Sequence, residues 1–157
     1  MKNLRTPLLC VCITLCSVNS FAQNPAIPVN EPDYNKPKLF QHLPDNIPVN
    51  AADLNSLMNV EVGRAINVTL SDNSAFRFEG QVVSAVSKFS NSIQSVVIRS
   101  TNFNGARFTI SKISNADGTI TYKGRIMSFQ HSDLYELQNR DGQLVLVKRN
   151  FYDLVNE

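Results

Sequence analysis

From Val60 onward, several runs of the chain carry apolar residues at every second position, and this period constrains the fold more than any other feature. Side chains of a β-strand point alternately to opposite faces, so a period of two predicts strands with one buried and one solvated face. Four runs show this alternation: residues 60–70, 76–86, 108–110 and 120–126. The run 93–99 is rich in β-branched residues, and the runs 134–137 and 144–147 complete a set of seven. The pattern predicts an all-β domain, an antiparallel meander of about seven strands that forms a small barrel or a sandwich.

Turn residues separate several of these runs. Residues 115–118 and 139–142 each end in Asp-Gly, and Asn104-Gly105 is a third such turn. Glycine takes the positive φ angle of a tight hairpin without steric cost, so we expect hairpins at these positions.

One short helix is predicted immediately before the first strand. Leu54, Leu57 and Met58 have helical spacing, and Asn50 is a favourable N-cap for a helix over residues 51–58. Residues 51–157 are then long enough to form one domain with a single core.

Prolines mark a different segment upstream of that domain. Six of the seven prolines lie between Pro25 and Pro48. At this density prolines favour extended backbone and are excluded from central strands, so residues 23–50 are predicted to be an extended arm. The last part of the arm carries apolar residues that are expected to dock on the domain: Leu39, Phe40, Leu43 and Ile47.

The first 22 residues have the layout of a secretory signal peptide. Lys2 and Arg5 precede an apolar run over residues 8–16, and the small residues Ser20 and Ala22 stand before Gln23. This arrangement predicts cleavage near Ala22 and a secreted or periplasmic protein, without a membrane span in the mature chain.

The cysteines permit a second interpretation of export. All three, Cys10, Cys12 and Cys16, lie within the predicted signal. Residues 13–15 before Cys16 loosely resemble a lipoprotein signal, although Leu15 is larger than that processing favours. With cleavage near Ala22 the mature chain has neither disulfide nor thiol chemistry.

Removal of the signal also balances the charge. Lys2 and Arg5 are lost without any acidic residue, so the 15 basic residues fall to 13 and equal the 13 acidic ones. A nucleic-acid-binding protein usually carries a basic excess that neutralises phosphates. Nucleic acid is therefore not an expected partner.

Catalytic and metal-binding patterns are weak. His42 and His131 have Asp45 and Asp133 nearby, but no paired-histidine motif accompanies them, and catalytic zinc typically takes three protein ligands. Ser132 stands next to His131 and Asp133, whereas the members of a triad converge from separate elements. We expect no enzyme activity, no metal and no cofactor.

The candidate binding residues are basic residues on or beside neighbouring strands. Lys123 and Arg125 share one face of a predicted strand, and Arg107 can join them across the hairpin. Such a set suits an acidic partner or a carboxylate, although a polar outer sheet face has the same pattern. Two turn residues, His131 and Asp133, are also candidates. The complete set is Arg107, Lys123, Arg125, His131 and Asp133.

Residues 150–157 are unusually apolar for a chain terminus. They include Phe151, Tyr152, Leu154 and Val155. Packing of this segment back onto the domain is expected, because apolar area favours burial. The alternative is a segment that binds a partner.

Several stretches resemble secreted β-rich proteins of the Bacteroidota type: residues 20–23, 39–49, 122–126 and 133–137. In longer chains of this kind the module is similar to the N-terminal pro-region of a secreted metalloprotease. This chain carries no His-Glu-x-x-His motif, so the resemblance implies a stand-alone, non-catalytic module.

The sequence is compatible with three functions. The first is a secreted, non-enzymatic β-domain that binds a secreted or envelope protein, in the manner of a pro-region or an inhibitor. The second is a carrier of a small apolar ligand, in a cavity lined by Phe76, Phe78, Phe108 and Tyr122. The third is an enzyme without a recognisable motif. The sequence leaves the oligomeric state undefined.

Overall fold

A computed structural model describes residues 35–70 and 76–154, all of which belong to one compact unit, Asp33–Glu157. Several predictions concern other residues and lie outside the described part: the signal peptide, the Cys16 lipoprotein signal, residues 23–34 of the arm and residues 155–157. Among the described residues, no helix combines the length and apolar character needed to cross a membrane.

The described chain is mostly β. The strands are β1 (Asn46–Val49), β2 (Ala65–Thr69), β3 (Arg77–Lys88), β4 (Ile93–Ser100), β5 (Arg107–Ser114), β6 (Ile120–Ser128), β7 (Asp133–Arg140) and β8 (Gln143–Asn150). All pair antiparallel in one sheet of order β1-β8-β7-β6-β5-β4-β3-β2. The sheet curls into a half-barrel, and the prediction of an antiparallel all-β fold is confirmed.

The sheet has eight strands rather than about seven, and the additional one is β1. This strand lies in the proline-rich segment that the sequence predicts to be an extended arm. Lys148 N–H donates to Asp45 O, and by antiparallel alternation Ile47 and Val49 then bond to β8. Pro48 lies between them on an edge strand, where its missing N–H faces away from the ladder.

The predicted helix is present as α1 (Ala51–Leu57). Asn50 adopts extended backbone and its side chain accepts a hydrogen bond from Ala52 N–H at 2.9 Å, which confirms the N-cap. Leu54 and Leu57 are buried against the inner face of the sheet. Lys112, which points to the same face from β5, donates to Asn55 Oδ1 at 2.7 Å.

Aromatic rings fill the inner face of the half-barrel. Phe40 contacts Phe103 and Tyr135, each with a centroid separation of 5.4 Å. Phe78 meets Phe108 at 5.5 Å, and both rings are fully buried. The arm therefore contributes Phe40 to the main core as well as β1 to the sheet.

The Asp-Gly turns form hairpins as predicted. Arg140 pairs with Gln143, and Asp141 and Gly142 between them have φ angles of 52° and 86°. Two central residues with positive φ make the hairpin turn whose twist matches that of the flanking strands.

The C-terminal segment packs back on the outer face of the sheet. Phe151–Leu154 forms a 3₁₀ helix, and Phe151 and Tyr152 are buried with Leu134 in a second apolar cluster. Met127 packs against this cluster. The described part of the segment therefore follows the predicted packing.

Candidate functional site

Strand alternation places the basic candidates on the outer face of the sheet. Phe108 and Ile110 of β5 are buried on the inner face. Arg107 and Thr109, which alternate with them along the strand, therefore point outward. Ile126 of β6 is likewise buried, whereas Arg125 is exposed. The face opposite the aromatic core therefore carries the cations.

The register brings the three predicted cations together. Arg107 pairs with Met127, Thr109 with Arg125, and Ser111 with Lys123. Arg107, Lys123 and Arg125 consequently occupy one face of two adjacent strands, as the sequence predicts. We call the surface formed by these three residues and Arg99 of β4 the cationic face.

Arg99 belongs to the same surface, although the sequence analysis did not single it out. It is the direct cross-strand partner of Arg107, and both side chains are exposed. Like charges that face each other across an antiparallel pair are destabilising unless an anion lies between them. Within residues 35–70 and 76–154, neither arginine forms an ion pair.

Glu136 of β7 provides a carboxylate beside the cationic face. It is the cross-strand partner of Arg125. Its Oε2 lies 3.4 Å from Arg149 Nε and accepts a hydrogen bond from Gln138 Nε2 at 2.8 Å. The Arg149 and Glu136 side chains are each 48% exposed, so their ion pair adds little stability.

Two adjoining clefts lie beside Arg125. One, of about 410 Å³, is lined by Thr109, Ser111, Lys123, Gly124, Arg125, Glu136 and Leu137. The other, of about 360 Å³, shares Gly124, Arg125 and Glu136 and continues to the C-terminal 3₁₀ helix at Asp153 and Leu154. Both clefts combine charged side chains with the backbone of β6.

Gly124 at the meeting point of the clefts cannot carry a side chain without a shift of the backbone. A Cβ atom there would lie 2.8 Å from the Thr109 carbonyl oxygen. The glycine lets β5 and β6 approach closely at the position where β6 and β7 begin to separate.

His131 and Asp133 lie apart from the cationic face, next to residues 37–39 of the arm. His131 Nδ1 donates to Pro37 O at 2.8 Å, and Asp133 accepts a hydrogen bond from Leu39 N–H. Lys38 of the same segment donates to Ser132 O at 2.6 Å. The two candidate residues thus hold residues 37–39 of the arm, and the structure does not bring them to the cationic face.

The phenol of Tyr135 is buried on the inner side of the sheet. Burial raises its pKa well above the ordinary value, and the negative charges of Asp45 and Asp133 raise it further. The hydroxyl donates to Pro44 O at 2.6 Å, and Lys148 Nζ lies 5.8 Å from the ring centroid. A phenol held protonated in this way supports the arm and offers no base.

Residues 35–70 and 76–154 contain no group of three or more His, Cys, Asp or Glu side chains that could hold a metal ion. The Ser132 hydroxyl accepts a hydrogen bond from the Tyr152 hydroxyl at 3.0 Å. The outer face of the sheet presents the exposed guanidinium and ammonium groups of Arg99, Arg107, Lys123 and Arg125.

No family model matches this chain, and no curated protein or solved structure is significantly similar to it. Exposed arginines present planar forks of donors that suit carboxylates, and their concentration on one sheet face defines the chemistry of a ligand.

Proposed function

We propose that this chain is a secreted, non-enzymatic β-domain that binds a protein partner through the cationic face. The observation that carries the proposal is the direct opposition of Arg99 and Arg107, with Arg125 and Lys123 on the same face. A partner that presents Asp and Glu side chains would relieve the repulsion between the arginines and form charge-assisted hydrogen bonds with them. The resemblance to a metalloprotease pro-region also favours a module that acts by binding.

The ligand-carrier alternative requires space inside the sheet. Phe78 and Phe108, which would line such a cavity, are fully buried and contact each other. Phe76 stacks on Phe103 with a centroid separation of 5.9 Å. These ring contacts, in a half-barrel whose inner face is also covered by α1, support partner binding over ligand carriage.

The proposal is tested by capture of a partner on the full chain. The chain, tagged after Glu157, is exposed to the secreted and envelope proteins of its producer, and bound proteins are identified by mass spectrometry. We expect a protein with an acidic surface, retained at low ionic strength and released as salt screens the charges.

Charge reversal supplies the specific readout. Arg99→Glu/Arg107→Glu should abolish capture of the partner. The control variant is Arg64→Glu/Lys88→Glu, which changes the net charge by the same amount at exposed sites toward the β2 side of the sheet. Equal capture by both variants and the parent chain would contradict the proposal.

A further inference from the structure

The ladder between β6 and β7 is shorter than its neighbours. It runs from Ser128↔Asp133 to Arg125↔Glu136 and ends there. The β5–β6 ladder continues to Ser114↔Ile120, and the β7–β8 ladder continues to Arg140↔Gln143. Residues 120–124 and 137–140 therefore each have a ladder partner on one side only, and a gap opens within the sheet.

Hydrogen-bond alternation identifies the backbone groups that face this gap. Ser100 N–H donates to Ala106 O and Ser114 N–H to Ser92 O, so even-numbered residues of β5 bond to β4. Odd-numbered residues of β5 then bond to β6, through the pairs that contain Lys123 and Arg125. Tyr122 of β6 is left with its backbone N–H and C=O directed toward β7.

The same reasoning applies to the opposite side of the gap. The two-residue hairpin joins Arg140 to Gln143, so even-numbered residues of β7 bond to β8. Asn139 therefore directs its backbone N–H and C=O toward β6. In the described strands, the ladders give the backbone N–H and C=O groups of Tyr122 and Asn139 no hydrogen-bond partner, which leaves two strand edges that face each other across the gap.

The side chains around the gap differ between the two faces of the sheet. Lys123 and Arg125 are exposed on the outer face beside Thr109 and Ser111. On the inner face, Leu137 is buried in the main core, and Tyr122 and Leu144 pack against it. A strand placed in the gap would meet cations with one set of alternate residues and apolar side chains with the other.

We propose that the gap between β6 and β7 binds an extended peptide segment by strand addition, and that this segment alternates acidic and apolar residues. Backbone N–H and C=O groups of the segment pair with Tyr122 and Asn139, as added strands do at other sheet edges. Its carboxylates face Lys123 and Arg125, and its apolar side chains face Leu137. The inference deepens the proposed function, on which it rests, by naming the partner's binding element.

The test uses defined peptides with the full chain. A short capped peptide of alternating valine and glutamate is compared with one of alternating valine and lysine. A third peptide keeps the glutamates but carries N-methyl groups on alternate backbone nitrogens, which removes donors without changing charge. Affinity is measured by calorimetry, and hydrogen exchange reports the amides of Tyr122 and Asn139.

We expect only the unmethylated glutamate peptide to bind, and to slow exchange at both amides. Lys123→Glu/Arg125→Glu should weaken its binding by about tenfold or more, since two charge-assisted contacts are lost. Arg64→Glu/Lys88→Glu should bind as the parent chain does.

Three outcomes would overturn the inference, and the first is that the unmethylated glutamate peptide does not bind. Equal binding of methylated and unmethylated glutamate peptides would mean that charge alone attracts them, and amides already protected in the free chain would mean that the gap is closed. Capture of an acidic protein that depends on Arg99 and Arg107, without peptide binding, would leave the proposed function standing. Peptide binding without such capture would support the inference and contradict the role that the proposed function gives to Arg99 and Arg107.

Discussion

Tyr135 shows how one side chain connects the arm, the core and the charge pattern of the inner face. Its ring packs on Phe40, and its hydroxyl donates to the carbonyl of Pro44. The surrounding apolar groups and the carboxylates of Asp45 and Asp133 disfavour a phenolate there. Protonated Tyr135 is therefore part of what keeps residues 40–45 on the domain.

The raised pKa of Tyr135 predicts a loss of stability in alkaline solution. Because its pKa in the folded chain lies above the ordinary value of 10.0, its contribution is complete below that pH and declines as the pH rises further. Tyr135→Phe should lower the free energy of unfolding by about 1 kcal/mol at neutral pH, through loss of the hydrogen bond. The variant should also show a shallower alkaline decline than the parent chain.

Urea unfolding at a series of pH values measures both effects. Tyr122→Phe is the matched control, since Tyr122 is only half-buried and its pKa is raised by burial alone. An unchanged alkaline slope in Tyr135→Phe would show that other groups control the decline.

At the scale of elements, the stability of α1 depends on its N-cap. Seven residues make a helix too short to be stable alone, so capping and packing against the sheet must hold it. The Asn50 side chain satisfies the N–H of Ala52, one of the donors that the first turn leaves unpaired.

Asn50→Ala should therefore cost about 1 kcal/mol in the free energy of unfolding. Asn59→Ala is the same exchange at an exposed position just beyond the helix, and should change stability by less than about half a kcal/mol. Chemical denaturation of both variants measures the difference, and equal effects would argue against a capping role.

At the scale of the whole molecule, the two apolar clusters lie on opposite faces of one sheet. The larger cluster fills the inner face, and the smaller one joins Phe151 and Tyr152 to Leu134 on the outer face. The C-terminal 3₁₀ helix thus covers apolar surface that would otherwise be exposed beside the clefts.

Phe151→Ala should lower the free energy of unfolding by about 3 kcal/mol, because it removes a buried ring from this smaller cluster. Leu154→Ala, at a side chain that is 41% exposed, should have a small effect. Urea denaturation compares the two. A small effect of Phe151→Ala would indicate that the outer cluster is separable from the fold.

The local elements of this molecule could be predicted from sequence, whereas its long-range pairings could not. Asn50 before a helical spacing and Asp141-Gly142 between strands are signals confined to a few residues. β1 was not predicted, because Pro48 argues against a central strand. Proline is tolerated in an edge strand, and β1 lies at the edge of the sheet. The opposition of Arg99 and Arg107 and the early end of the β6–β7 ladder depend on register, which single strands do not encode.

The pairing of β1 with β8 also sets the order in which the molecule can be completed. Asn46 pairs with Val147, so β1 acquires its ladder partner only after about a hundred further residues have been synthesised. The hydrogen bond between His131 and Pro37 likewise joins residues that are 94 positions apart. Contacts this distant in sequence form slowly, and the sheet stays incomplete until β8 is available to pair with β1.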